Sequence, residues 1–208
     1  MVYSIMIAFL TAYLLGNLNG AVCISALIAD DDVRKHGSGN AGLTNFIRNY
    51  GVGSALYVIL IDAGKTVVGC LAAALIMGAF GYPLEGMTLG GLAVMLGHSF
   101  PALLGFKGGK GILSGLFIAL VIDWRIAALI LAIFFLVYFA TRYVSLASVL
   151  AAAGFSAGFA VFHYDNLLVM IGGVFMGLLA IFMHRGNIVR LIKGEERKTN
   201  LFGPQKKD

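Results

Sequence analysis

Gly111-Ile112-Leu113-Ser114-Gly115-Leu116-Phe117-Ile118-Ala119-Leu120-Val121-Ile122 carries no charge, and whether it crosses a bilayer decides the fold. As a helix its 12 residues rise about 18 Å at about 1.5 Å each. A crossing takes about 20 residues, with about 17–25 tolerated. Length alone leaves two readings open: a re-entrant segment, or a short helix across a locally thinned region.

The flanking sequence supplies the context. Uncharged or nearly uncharged stretches also cover residues 1–29, 52–84, 86–106, 126–141, 143–164 and 166–183. With half a turn of flanking residues, these reach membrane-spanning length. The composition agrees: of 208 residues 60% are apolar, 12% are charged and 28 are glycine, too little charge to cover a water-facing surface. The glycines suit close helix packing. The spacing therefore predicts one all-α, polytopic membrane domain over 1–208, with a flexible, charged tail from about Lys193.

Charge then chooses between the two readings. If every run crosses, segments 30–51, 105–111, 141–143 and 184–208 share one side. They hold Arg34, Lys35, Arg48, Lys107, Lys110, Arg142, Arg185, Arg190, Lys193, Arg197, Lys198, Lys206 and Lys207, which is 13 of the 15 lysines and arginines. A re-entrant 111–122 would move the seven basic residues from Arg185 onward to the outside. Basic residues stay in the cytoplasm. The expectation is seven transmembrane helices, one of them short, with the N-terminus out, the C-terminus in, and the polar motifs facing the cytoplasm. The first basic residue is Arg34, and no small-residue cleavage site closes a short apolar core, so the start does not read as a signal peptide. Cys23 and Cys70 fall in apolar runs without metal-ligand spacing and read as packing residues.

Three polar segments carry the chemistry. In the first, GSGNAGLTNFIR (37–48), Gly37, Gly39 and Gly42 let the backbone turn tightly and present N–H groups to an anion. A helix from about Asn40 would place Asn40, Thr44 and Arg48 on one face and offer its N-terminus to a phosphate. Ser38 and Asn45 add polar groups at a density that an ordinary capped loop does not require. In the second, GHSFP (97–101) precedes GFKGGKG (105–111). Lys107 and Lys110 flank Gly108 and Gly109, with Gly111 following, so point charges and backbone donors converge as a phosphate needs. The spacing is not that of a nucleotide-binding P-loop. His98 is open between a base and a structural hydrogen-bonder. The third segment is split between RYVSLAS (142–148) and HRGNIVRLIKGEE (184–196). Ser145 and Asn187 are polar and uncharged where lipid anchoring needs neither. Asp62 and Lys65 lie three apart within the second run, as a structural ion pair or as chemistry.

These four ordered motifs resemble the signatures of the bacterial PlsY family, acyl-phosphate:glycerol-3-phosphate acyltransferase, from the first run to the tail. The resemblance implies a seven-span fold with a cytoplasmic active site. It implies transfer of a fatty acyl group from acyl phosphate to the 1-hydroxyl of glycerol 3-phosphate, giving lysophosphatidic acid and phosphate without a cofactor or metal. Ser38, Arg48, Lys110, His184 and Asn187 would contact the substrates at the reacting centre. The Lys107–Gly111 loop would hold the acyl phosphate, Ser145 would be a further donor, and Glu196 would be structural. The implied partners are the two substrates and membrane lipids, with a soluble acyl-phosphate synthase as donor source. The chain would act as a monomer or weak oligomer and bind no nucleic acid. Gly186 stands where the family usually has Glu, and Leu43 replaces a small residue.

The residues suit that reaction. An acyl phosphate is an activated anhydride, so positioning and charge neutralisation suffice. No Ser-His-Asp arrangement can be assembled from the motifs. The His-x4-Asp pattern of other glycerophosphate acyltransferases is not met, since His36, His98, His163 and His184 lead to Ala41, Leu103, Leu168 and Val189. The substrate's own phosphate is then the candidate base. A transporter or channel for phosphate-bearing metabolites is the competing class. It accounts poorly for polar residues gathered on one side, because alternating access uses a midplane site between repeats. An enzyme transferring phosphate groups from CDP-lipids would need an Asp-rich metal motif.

The topology makes a prediction. Single cysteines at Glu85 and at Lys193, in a cysteine-free background, should label from opposite faces. Equal labelling by an impermeant reagent in intact cells would remove the seven-span arrangement.

Overall fold

The structure, a computed structural model, describes residues 1–199. Lys206 and Lys207, counted above among the basic residues, and the far end of the expected flexible tail lie outside the described residues. The described chain is all α and forms two compact units, one of Met1–Ile122 and one from Asp123 onward.

The first unit opens with α1 (Val2–Gly16) and α2 (Gly20–Ala29). They share one apolar stretch, Val2–Ala29, but the helix breaks at Leu18–Asn19. Asn19 causes the break: its side-chain oxygen takes the Val22 N–H at 3.0 Å, capping a new helix instead of continuing the old one. α2 ends at Asp30, in the left-handed conformation. A 3-10 turn (Val33–Lys35) and a glycine loop lead to α3 (Leu43–Tyr50), an amphipathic helix that buries Phe46 and Ile47 against Val58 and Ala21. The helix expected from about Asn40 therefore starts three residues later. Gly39 at φ +68° and the extended Gly42 hold Asn40 in a turn, so only Thr44 and Arg48 share the helix face.

α4 (Ala55–Gly78) and α5 (Pro83–Ser99) pack on each other and on α1, with Pro83 at the first helical position, where its missing N–H costs nothing. Small residues allow the close approach. A Cβ on Gly90 would stand 2.6 Å from the Gly69 carbonyl, and one on Gly16 2.5 Å from that of Val94. α6 (Ile112–Ile122) packs on α4 and α5, with Ile118 and Ala119 fully buried.

In the second unit Asp123 caps α7 (Trp124–Thr141), accepting from Arg125 N–H at 2.9 Å. α7 packs on α8 (Val144–Phe162), and α8 on α9 (Leu167–Met183). α10 (Arg185–Ile192) bends by 55° from α9 at His184.

Among the described residues, Val2–Ala29, Ala55–Gly78, Pro83–Leu104, Trp124–Thr141 and Val144–Phe162 are long and apolar enough to cross a membrane. The bent pair Leu167–Met183 with Arg185–Ile192 makes a sixth, and Ile112–Ile122 is a shorter apolar helix. Leu75, Leu136 and Leu168 on these helices are left exposed, which suits a lipid solvent. This is an all-α, multi-pass membrane protein.

Candidate active site

The glycine loop is organised by Asn45. Its side-chain amide donates to the carbonyls of Val33, His36 and Asn40 at 3.0, 3.1 and 3.0 Å, and its Oδ1 accepts the Ser38 N–H at 3.0 Å. One buried side chain thus engages four backbone groups of a turn that has no ladder of its own, its two amide protons shared among three carbonyls. Gly37 and Gly39 are left-handed, and a Cβ on Gly37 would strike Asn45 Oδ1 at 2.5 Å. The result displays Ser38 at an exposed position, its main chain held from beneath. The approach to the loop is pinned as well. Asp32 forks onto Arg34 at 2.7–3.0 Å, and the guanidinium beside it holds its carboxyl below the usual range. Asp31 accepts from Tyr50 Oη at 2.8 Å, and burial together with that carboxylate pushes the phenol up to about 12.

The second motif lies against the first. Arg34 Nη1 donates to the carbonyls of Leu104 and Lys107 at 2.8 and 3.2 Å, joining the two loops. Gly109 N–H donates to the His98 carbonyl at 3.0 Å. A Cβ on Gly109 would run into His98 Nε2 and come within 2.9 Å of the Ala41 carbonyl. Gly108 packs as closely on the end of α5, 2.7 Å from Pro101 Cδ by the same measure. The paired glycines are therefore required by contact before any anion is considered. Gly111, left-handed at φ +80°, turns the chain into α6, while Lys107 is exposed and Lys110 half-buried.

Beneath these loops the broken first span supplies its own anchors. Asn19 Nδ2 donates to the Ala41 carbonyl at 2.9 Å, and Asn17 Oδ1 accepts the Leu103 N–H at 3.0 Å. Asp62, Lys65 and His98 are buried behind them. Asp62 Oδ1 meets Lys65 Nζ at 2.7 Å and the Gly20 N–H at 3.2 Å, and Lys65 also donates to the Leu18 carbonyl.

The second unit holds the remaining motif residues. Glu196 Oε1 accepts from Asn187 Nδ2 at 2.8 Å, and its Oε2 from Arg190 Nε at 2.7 Å. Ser145 faces the same carboxylate; its hydroxyl is buried, beyond hydrogen-bonding geometry among the described residues. Burial alone would raise the Glu196 carboxyl, but Asn187, Ser145 and Arg190 outweigh it and hold it below its ordinary 4.5. His184 Nδ1 pairs with the Ala180 carbonyl at 2.8 Å, the arrangement of a donated Nδ1–H. Chain past Glu196 is tied down too, since Tyr138 Oη donates to the Thr199 carbonyl at 3.1 Å and Thr199 N–H to that of Arg142 at 3.1 Å.

Thus Gly37, Ser38, Gly39, Asn40, Gly42, Thr44, Asn45 and Arg48 share the first unit with His98 and Lys107–Gly111, and their loops touch at Gly109. Ser145, His184 and Asn187 belong to the second unit, where Ser145 and Asn187 meet at Glu196. Sequence reasoning passed over Asn17 and Asn19. The available signal was Asn17, Asn19 and Gly20, three poor helix formers or breakers close together inside an apolar run.

Residues 6–194 match the model of a protein family described as glycerol-3-phosphate acyltransferase. The chain is 35% identical over 196 residues to a glycerol-3-phosphate acyltransferase of Thermoanaerobacter sp. (strain X514), covering 94% of this chain and 96% of that one. It is similar to the crystal structure of PlsY, an integral membrane glycerol 3-phosphate acyltransferase, in its glycerol 3-phosphate form. There the TM-score is 0.83 at 30% identity, over 96% of this chain and 100% of the other. For the lysophosphatidic acid form of PlsY the values are 0.80, 29%, 95% and 96%.

Glu196 makes the segment's anchorage acid-sensitive in one direction. Its folded-state pKa is depressed, so its contribution is present above the ordinary value and lost as pH falls through the lower folded one. Protection of the Thr199 amide from hydrogen exchange should hold above about pH 4.5 and fade only below it. Glu196→Gln should weaken that protection already at neutral pH.

Proposed function

The chain belongs to the glycerol-3-phosphate acyltransferase family, and on that footing we propose how it works: it transfers a fatty acyl group from acyl phosphate to the 1-hydroxyl of glycerol 3-phosphate. The products are lysophosphatidic acid and inorganic phosphate. The observation that carries this reading is the junction at Gly109, where the glycine loop, the His98 imidazole and the lysine-flanked turn adjoin. A bare phosphate headgroup fits such a junction of backbone N–H groups and point charges.

Lys110 and the Lys107–Gly111 backbone take the donor's phosphate. In the first unit Ser38 and Arg48 hold glycerol 3-phosphate, with Gly37, Gly39, Asn40, Gly42, Thr44 and Asn45 shaping that subsite. In the second unit His184 and Asn187 are the substrate-contacting residues, with Ser145 beside them. Arg48 suits a phosphate because a planar guanidinium holds two oxygens at once. The glycerol hydroxyl oxygen attacks the acyl carbonyl, the carbon–oxygen bond to phosphate breaks, and the hydroxyl proton passes to a phosphate oxygen of the substrates. Positioning and neutralisation of anionic oxygens supply the catalysis. No acyl-enzyme forms.

The same reading gives seven crossings. Ile112–Ile122 is the short one, and the bent pair after Leu167 is the last. The N-terminus lies outside, and the motifs and C-terminus face the cytoplasm of a bacterial membrane. The asymmetry of lysine and arginine supports this orientation.

Purified protein offered acyl phosphate, acyl-CoA and acyl-carrier protein separately should turn over acyl phosphate, with little or no rate from the other two. Comparable rates with acyl-CoA would overturn the donor assignment.

Ser38→Ala should act as loss of one hydrogen bond to an anion, about 1.5–3 kcal/mol, or roughly ten- to a hundred-fold in rate. Arg48→Lys should weaken glycerol 3-phosphate use strongly although the charge is kept. Mass spectrometry of enzyme held with donor alone should find no acyl group on Ser38; finding one would replace direct transfer with a two-step mechanism.

A further inference from the structure

Asp62 and Lys65 have no part in the mechanism above, yet the buried chain they form with His98 ends against the donor loop. A lysine ammonium has three protons, and Lys65 has three acceptors: Asp62 Oδ1 at 2.7 Å, the Leu18 carbonyl, and His98 Nδ1 at 2.8 Å. Asp62 Oδ1 lies 3.8 Å from His98 Nδ1, outside hydrogen-bonding distance. A proton on Nδ1 would therefore point at an ammonium group with no acceptor in reach. Nδ1 accepts, and the ring's proton resides on Nε2. That edge of the ring is the one against Gly109, where any side chain would collide with Nε2.

We propose that Lys65, held by Asp62, is a positioning residue that locks His98 as an Nε2–H donor to the phosphate of acyl phosphate on the Lys107–Gly111 turn. This rests on the reading that the turn takes the donor. The lock matters because the other tautomer would present a lone pair to an anion, exchanging a hydrogen bond for a repulsion. Asp62 keeps the ammonium in place, and the N-terminal end of α2, through Gly20 N–H, in turn steadies Asp62. Gly109 keeps the path from Nε2 open.

Steady-state kinetics with each substrate varied in turn tests the assignment. The amide nitrogen of Gln reaches the Nε2 position, whereas that of Asn reaches only the Nδ1 position. His98→Gln should hold KM for acyl phosphate within about threefold, and His98→Asn should raise it about tenfold or more, the cost of a hydrogen bond to a charged group. KM for glycerol 3-phosphate should stay put in both. Asp62→Asn/Lys65→Met removes both charges together, avoiding a lone buried one. It should raise donor KM in the His98 protein and add nothing in the His98→Gln protein, whose amide has no tautomer to lose. Equal effects of Asn and Gln at position 98, or an equal effect of the pair substitution in both backgrounds, would overturn the proposal. Lys107→Ala separates the two levels. If it raises KM for glycerol 3-phosphate and not for the donor, the loop assignment itself has failed. Nitrogen-15 spectra of histidine-labelled wild-type protein, with His98 assigned by its loss in His98→Gln, need no stable pair variant. They should show an unprotonated Nδ1 and a protonated Nε2, and the reverse would overturn the lock.

Discussion

The ion pair of Asp62 and Lys65 sits in the break of the first span, and the first unit is arranged around it. A lone buried charge in a membrane protein is costly, and even a pair needs its remaining hydrogen-bonding capacity filled. The break at Leu18–Asn19 fills it. An uninterrupted helix would have spent the Leu18 carbonyl and the Gly20 N–H on itself. Broken, it turns the first toward the ammonium and the second toward the carboxylate. Asn19 caps the second helix of the broken span and still has an amide proton for the Ala41 carbonyl. The pair thus determines where the glycine loop is held, and through His98 where the Gly108–Gly109 turn rests.

Both loops solve one problem by different means. A turn that is to offer its N–H groups to an anion cannot use them in a helix or sheet. Its carbonyls must then be satisfied from the side. In the first loop Asn45 does this from within α3, which is why the residue is buried although its motif is polar. In the second, Arg34 takes the Leu104 and Lys107 carbonyls, and the turn gives up one N–H, that of Gly109, to the His98 carbonyl at the end of α5. The two supports cross, since Arg34 belongs to the first loop and serves the second.

Much of this was legible in the sequence, for identifiable reasons. Charge-free runs located the helices because lipid tolerates little else, and the motif residues stood out because polar groups at that density have no other use in an apolar chain. What could not be read was pairing across sequence. Asp62 and Lys65 are visible as neighbours, but nothing local joins them to His98, 33 positions on from Lys65. The late start of α3 was missed because the spacing of Asn40, Thr44 and Arg48 fits a helix, while the left-handed Gly39 and extended Gly42 override it. Gly108 and Gly109 were read as anion-binding glycines, and their first constraint proved to be contact with His98 and Pro101.

The treatment of carboxylates separates a site for anions from a merely basic membrane surface. Of the acidic groups near the motifs, four are engaged by donors. Asp31 is engaged by Tyr50 and His36, Asp32 by Arg34, Asp62 by Lys65 and Gly20, and Glu196 by Asn187 and Arg190. Two like charges a few ångströms apart repel strongly in a medium of low dielectric, so an idle carboxylate beside a phosphate would work against binding. Tied down, the same groups orient the donors that surround them. Those donors hold the carboxyls of Asp31, Asp32 and Glu196 below their ordinary range. These four acidic residues serve as fixed braces for cationic and amide groups.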